Sequence, residues 1–429
     1  MEIRPKLYFF IFISFIFDVF FSYTDMFFGV SSRIYFMIIV IGLFFMEIAI
    51  KKKTFTLSKT QIKIISTYSL FILISFFINI FNGVNIYKIA NLYLGNYVYA
   101  FVVMILIMIL INDKVKLKQY VFFLILLVTF NSFIGILQYF DIGFAWQIRD
   151  TLGYGGLEVV RRQIISRERI VGLSLYSIPF SYLLCTVLPI NIIIFLYSKK
   201  KSIKRTILKF AFILNFLALI LSGTRSALLG VSVSIFIIII RNNKWINKLI
   251  YILTSFIFFV LSFFVFNLRN MRMFSINTSV YSRIPLAIVG FKIFADNPLG
   301  AGMGAYAKYS TKYYNLVQDM RGAEQILNVG SSHNQFINIA VYYGVIGLIL
   351  SIIFYYFIFK SLNFIKNNTN NKFNEMIAVA LQFSFLSYII NSLFHNGGPF
   401  MGDVINFYFI GLVLGFINIS RKKYIGGNF

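Results

Sequence analysis

The chain is 429 residues long, 59% hydrophobic and only 13% charged, about half the charged share of an ordinary soluble domain. Its apolar residues come in runs of about 20, the length of a helix that crosses a bilayer, which excludes a soluble globular enzyme and also a β-barrel built from alternating ten-residue segments. The formal charge of +26 lies in short clusters between those runs, so it argues for membrane orientation and against a nucleic-acid partner.

Because backbone polar groups in lipid must be satisfied within the segment, the runs are expected to be helices. The expected fold is all-α: a polytopic integral membrane protein of about twelve transmembrane helices, with residues 1–429 forming a single membrane domain. The spans are expected near 7–23, 31–50, 64–82, 91–111, 120–140, 171–197, 207–222, 225–240, 249–266, 333–359, 375–394 and 403–420. The first run has no small-residue cleavage site and reads as an uncleaved span. Basic clusters fall in alternate connections: Arg4/Lys6, Lys51 to Lys63, Lys114 to Lys118, Lys199 to Lys209, Arg241 to Lys248, Lys360 to Lys372 and Arg421 to Lys423. With an even span count these share one side, the cytoplasm, together with both chain ends.

The two faces then differ in residue type. The inner set is mostly lysine, with Arg4, Arg205, Arg241 and Arg421 as its arginines. The outer set is mostly arginine: Arg33, Arg149, Arg161, Arg162, Arg167, Arg169, Arg225, Arg269, Arg272, Arg283 and Arg321. Lysine suffices for topology, whereas the arginine fork grips phosphate bidentately. The outer face is therefore read as holding an anionic ligand; the alternative is surface choice plus lipid-headgroup contact.

Two outer loops are long, 141–170 and 267–332, and loops beyond about 15 residues are usually functional or disordered. In the second, residues 282–294 read as a short helix that stops at Asp296-Asn297-Pro298, followed by a flexible turn through Gly300, Gly302 and Gly304. Tyr306 to Met320 looks amphipathic and suited to the membrane interface.

Four groups carry possible chemistry. Ser222-Gly223-Thr224-Arg225-Ser226 is a tight outer turn that puts Arg225 at a helix N-terminus, where the dipole and backbone N–H groups also favour an anion; the alternative is a snorkelling arginine. Ser331-Ser332-His333-Asn334 opens the tenth span, and a neutral His333 at the membrane boundary could accept a proton from a sugar hydroxyl; the alternative is a polar helix cap. Ten residues on, Gly344 and Gly347 permit close helix contact. Arg283 in the loop helix and Arg169 before the sixth span complete the set. His395, Asp18 and Asp403 lie near span ends and are weaker candidates. Cys185 is the single cysteine, expected to be a buried small hydrophobe. No HExxH, CxxC or Walker-type loop is present, so neither a metal nor an ATP-driven pump is expected.

The order of these pieces is distinctive: Thr224-Arg225-Ser226 opening a span, then Ser282-Arg283 and Asn297-Pro298-Leu299-Gly300-Ala301-Gly302 in an outer loop, then Ser332-His333-Asn334 followed by Gly344-Val345-Ile346-Gly347-Leu348. It resembles the O-antigen ligase and O-antigen polymerase superfamily of bacterial surface-polysaccharide assembly. The resemblance implies a GT-C-like, inverting, metal-independent glycosyltransferase that needs no cofactor and works at the outer face of the bacterial cytoplasmic (inner) membrane. Its donor would be an undecaprenyl diphosphate-linked oligosaccharide, and its other partners membrane lipids and a chain-length regulator protein. The family's essential arginines fall on Arg225 and Arg283 and its essential histidine on His333, while Arg169 resembles the family's arginine just before a span. A polymerase would extend a second lipid-linked repeat unit; a ligase would load lipid A–core. Outside the family, a lipid-linked oligosaccharide flippase or secondary transporter would also explain many spans and basic residues. It would place charges at mid-membrane depth, whereas here they cluster at span ends.

Overall fold

The computed structural model describes residues 11–16, 18, 26–27, 30–31, 33–35, 37–39, 41–42, 57–149, 169–174, 176–198, 202–241 and 281–422. The expected spans 7–23, 31–50 and 249–266 lie wholly or in part outside these residues, as do Arg161, Arg162, Arg167, Arg269 and Arg272. Among the described residues, long apolar helices dominate: α1 Lys59–Phe81, α2 Ile86–Leu110, α3 Lys114–Tyr139, α4 Gly143–Arg149, α5 Ser177–Tyr197, α6 Ile203–Leu221 and α7 Arg225–Arg241. After these come α8 Arg283–Asp296, α9 Ala305–Ser310, α10 Gln325–Asn328, α11 Gln335–Asn368, α12 Lys372–Ser392 and α13 Ile405–Lys422. A two-residue antiparallel pair joins Met26–Phe27 to Val30–Ser31. Six of the helices are long and apolar enough to cross a membrane: α1, α2, α3, α5, α11 and α12; α7 and α13 are shorter apolar helices.

The chain divides into two compact units. The first comprises residues 1–123, 278–378 and 392–429. In it α1 starts on a capping box: Ser58 Oγ accepts from Gln61 N, and Gln61 Oε1 accepts from Ser58 N, which satisfies two otherwise orphaned donors. The Gln61 amide also donates to Leu414 O of α13 at 2.9 Å. Gly411 and Gly415 of α13 face α2 so closely that a Cβ at Gly411 would lie 2.8 Å from Ile107 Cβ, and one at Gly415 2.7 Å from Ile111 Cβ. This four-residue spacing of small residues is how membrane helices approach at backbone distance. Around it Tyr68, Phe71, Tyr97, Tyr343, Phe354, Phe400 and Phe407 form a buried aromatic core, in which the Tyr97 and Tyr343 hydroxyls meet at 2.9 Å.

The second unit comprises residues 124–277 and 379–391. Its helices are tied by buried polar pairs. Ser132 Oγ donates to Asn215 Oδ1 at 2.7 Å, and Asn215 Nδ2 donates to Thr129 Oγ1 at 3.2 Å. Ser226 Oγ donates to Asn391 Oδ1 at 2.7 Å, and Ser384 Oγ to Thr186 O at 2.7 Å. Gly230 of α7 meets the backbone of Ser387, 2.4 Å from where a Cβ would stand. Cys185 is a buried free thiol donating to Tyr182 O.

The long second loop is built as the sequence suggests in its described part, with α8 over 283–296 and left-handed turns at Gly300, Gly302 and Gly304 (φ +99°, +80° and +80°). Tyr306 to Met320, however, is broken into α9 and a 3₁₀ stretch, Thr311–Leu316, instead of one amphipathic helix. Gly344 also differs from the expected helix-to-helix contact. It leaves helical geometry altogether (φ 66°, ψ −165°) inside α11, a region open essentially to glycine alone. The backbone groups so freed are paired with the loop: Val345 N donates to Pro298 O, Ala301 N to Val341 O and Gly302 N to Tyr342 O, at 2.9–3.0 Å. A Cβ on Gly344 would fall 2.3 Å from Leu299 C and 2.5 Å from Pro298 O. Gly344→Ala is therefore expected to cost about 3 kcal/mol or more, combining a forbidden backbone region with backbone overlap. The check is detergent-solubilised yield and thermal unfolding, against Gly42→Ala, which meets nothing within 4 Å.

Candidate functional site

Helix α8 brings Arg283 to His333. It packs on the start of α11 through Gly290, where a Cβ would stand 2.5 Å from the Ile337 side chain and 3.4 Å from Ser332 Cβ. Tyr306 Oη donates to Leu286 O at 2.8 Å and fixes the first turn of α8. Gly322 (φ +85°) lets the following loop pass within 2.7 Å of Ser282 N, measured from its missing Cβ. With the helix start so held, Arg283 Nη1 donates to His333 O at 3.4 Å.

His333 itself adopts a left-handed backbone (φ 54°), uncommon for a residue with a side chain and a frequent mark of functional constraint. The neighbours that hold it there form a ring of polar side chains. Asn338 Oδ1 accepts from both Ser332 N and Ser332 Oγ, at 2.9 and 2.8 Å. Asn338 Nδ2 donates to Asn396 Oδ1 at 3.0 Å, and Asn396 Nδ2 donates to Ser331 Oγ at 2.6 Å. On the other side Asn334 caps α11, accepting from Phe336 N and Ile337 N, and donates to Leu393 O. The residues before and after His333 are thus anchored while the imidazole is half-buried. Its Nδ1 is buried with no hydrogen-bond partner among the described residues. Burial and, after it, the Arg283 charge lower the His333 pKa to about 4, so the ring is neutral at physiological pH and offers a lone pair rather than a proton.

In the second unit, Arg225 opens α7 after a turn made possible by Gly223 (φ +64°). Leu228 N donates to Thr224 O, so the helix begins at Thr224, and the guanidinium sits at the positive end of the helix dipole. Arg169 is brought to the same turn by its neighbour, since Ile170 N donates to Leu221 O at 3.0 Å. Arg169 Nη1 also donates to Ser177 Oγ at the start of α5. The segment that carries it is pinned from below. Arg149 donates to Gly172 O and Ser174 O, Gln138 to Gly172 O, and Asn131 both accepts from Leu173 N and donates to Ser174 Oγ. Gly172 (φ +57°) lies against Asn131 with no room for a side chain.

Arg149, one of the outer arginines, therefore serves as a buried brace. Asp18 is a buried acid paired with Arg33 at 2.8 Å, and it accepts from Tyr99 and Tyr408 hydroxyls. Asp403 accepts from Ile405 N and Asn406 Nδ2 at the head of α13. His395 is buried beside the Asn396 ring. The bracing residues Asn131, Gln138, Asn338 and Asn396 escape a reading of the sequence because their partners lie far along the chain.

Residues 210–352 match the family model described as O-antigen ligase. The matched stretch runs from α6 into α11 and contains Arg225, Arg283, His333 and Gly344; Arg169 lies outside it. No curated protein matches the chain. Six described helices long and apolar enough to cross a membrane agree with a multi-pass membrane protein. Over this third of its length, the chain is similar to O-antigen ligase.

Proposed function

We propose that this protein is an O-antigen or capsular repeat-unit polymerase, an inverting, metal-independent glycosyltransferase. It moves a glycan from undecaprenyl diphosphate to the non-reducing end of a second lipid-linked repeat unit, at the outer face of the cytoplasmic membrane. The observation that carries this reading is the pairing of a neutral, half-buried His333 with the Arg283 guanidinium, inside the segment that matches the O-antigen ligase family. Arg283, Arg225 and Arg169 are assigned to the diphosphate, offsetting charge as it departs. His333 takes the acceptor hydroxyl proton as the oxygen attacks the anomeric carbon opposite the diphosphate. The new glycosidic C–O bond forms as the old one breaks, and the bonding pair leaves on the diphosphate. The donor's anionic charge offsets that of Arg283, which raises the basicity of the imidazole when substrate is bound. A chain-length regulator would act on this polymer as a separate partner.

Ligation to lipid A–core is the second reading, favoured by the description of the matched family. Reconstitution with purified undecaprenyl diphosphate-linked repeat units separates them. A ladder of longer lipid-linked glycans is expected. Product formed only when lipid A–core is added means a ligase, and lipid movement between leaflets without product means a flippase.

Three variants test the roles. His333→Asn keeps a residue that tolerates the left-handed backbone, so folding is expected to persist while the ladder disappears; normal ladders would remove His333 from the chemistry. Arg225→Lys keeps the charge but loses the bidentate fork, and at least about a tenfold loss of turnover is expected. Neutral His333 is required, so kcat/KM should fall only as pH drops toward about 4, since that parameter follows free-enzyme pKa values. Arg283→Gln removes a cation that lowers the His333 pKa, so the acid limb should move to higher pH; an unmoved limb would dissociate the two residues.

A further inference from the structure

A second basic site lies at the other end of α11. From Val345, just after the break at Gly344, to Lys360 the helix rises by about 22 Å at 1.5 Å per residue, which places the groove toward the C-terminal end of the span. There an open groove of about 170 Å³ is lined by Thr60 and Lys63 of α1, Phe357, Lys360, Ser361 and Phe364 of α11, and neighbouring isoleucines. Its walls are fixed. The Gln61 side chain ties the first turn of α1 to Leu414 O of α13, one turn before Ile417 at the groove. Neither Lys63 nor Lys360 has an acidic partner among the described residues. The Lys63 ammonium stands 5.5 Å over the Phe357 ring, and Lys360 Nζ donates to Tyr356 Oη at 3.2 Å, so both heads are held at the groove by neutral groups only.

The apolar surface leading to this groove has a direction. Val345, Ile349, Ile352, Tyr356 and Phe364 are all exposed and recur every three or four residues, save for Lys360 in the same row. They form one lipid-facing stripe along α11 that ends where the lysines begin. An acyl chain following the stripe would deliver its headgroup to Lys63 and Lys360. Two ammonium groups and aromatic walls suit one phosphate attached to a hydrocarbon tail.

We propose that this groove binds an anionic glycerophospholipid, with its phosphate between Lys63 and Lys360 and an acyl chain along the α11 stripe. Basic pockets between membrane helices recognise anionic headgroups in this way. The site is independent of the transfer reaction and does not rest on the polymerase reading.

The test uses the full-length protein in nanodiscs of phosphatidylcholine doped with phosphatidylglycerol, followed by detergent exchange and native mass spectrometry of the lipids retained. The expected result is one phosphatidylglycerol kept by the natural chain. Retention should drop about thirtyfold, as removal of two surface charges implies, in Lys63→Gln/Lys360→Gln, and not in Lys366→Gln, whose ammonium bonds to Asn363 in its own helix. Phe364→Glu, at an exposed position on the groove wall, should expel the lipid by repulsion even where the double variant fails to fold. Equal retention of phosphatidylcholine, undiminished phosphatidylglycerol in Phe364→Glu, or displacement by millimolar inorganic phosphate would each overturn the proposal.

Discussion

Within a bilayer, a backbone N–H or C=O that leaves the helical ladder finds no water to replace its partner. Helix α11 breaks that ladder at Gly344, and the Pro298–Gly302 loop supplies the missing partners from outside. The arrangement fixes much of the first unit. The loop cannot drift, because its own amides are committed to Val341 and Tyr342. Helix α8, which ends at Asp296 just before that loop, is held against the start of α11. Arg283 at the far end of α8 is thereby registered against His333. A glycine in mid-span and an arginine in a loop become parts of one mechanical assembly.

The two sets of candidate residues share a building method. His333 is bracketed by Ser331, Ser332, Asn338 and Asn396, and Arg169 is carried on a segment braced by Asn131, Gln138 and Arg149. In each case the segment that carries the candidate side chain is held by hydrogen bonds from residues around it. Amides and the Arg149 guanidinium fix the backbone on which the candidates stand, the kind of preorganisation that electrostatic sites require. Burial acts in the same direction on His333: it withdraws water and keeps the imidazole uncharged beside a permanent cation.

Hydropathy alone marks where helices α1, α2, α3, α5, α11 and α12 run, because a span must be long and apolar whatever its neighbours are. Turn chemistry marks α8 and its stop at Asp296-Asn297-Pro298 for the same local reason. What local pattern does not carry is pairing. Gly344 and Gly347 suggest two helices in contact, yet Gly344 faces a loop, and Gly347 packs on Tyr343 and Ile339 of its own helix. The small-residue contact between helices is made by Gly411 and Gly415 instead. Asn396 sits 58 residues from Asn338 and 65 from Ser331, so no spacing rule links them. Arginines on one face look equivalent in the sequence, but Arg149 is a buried brace, a distinction set by packing.

The polar pairs inside the second unit also say something about how the chain comes into being. Ser132 waits for Asn215, 83 residues later, and Ser226 waits for Asn391, 165 residues later. At about 5–20 residues per second of synthesis, those intervals last roughly 4–17 s and 8–33 s. Throughout that time the Ser132 hydroxyl has only Val128 O of its own helix to bond to, and Ser226 lacks Asn391. Each such helix therefore profits from lingering in a sheltered, partly hydrated setting at the insertion machinery until its partner emerges. The order in which the ribosome delivers the spans is then part of the protein's assembly programme, and a permuted chain with the same helices would meet its lipid surroundings with different groups exposed.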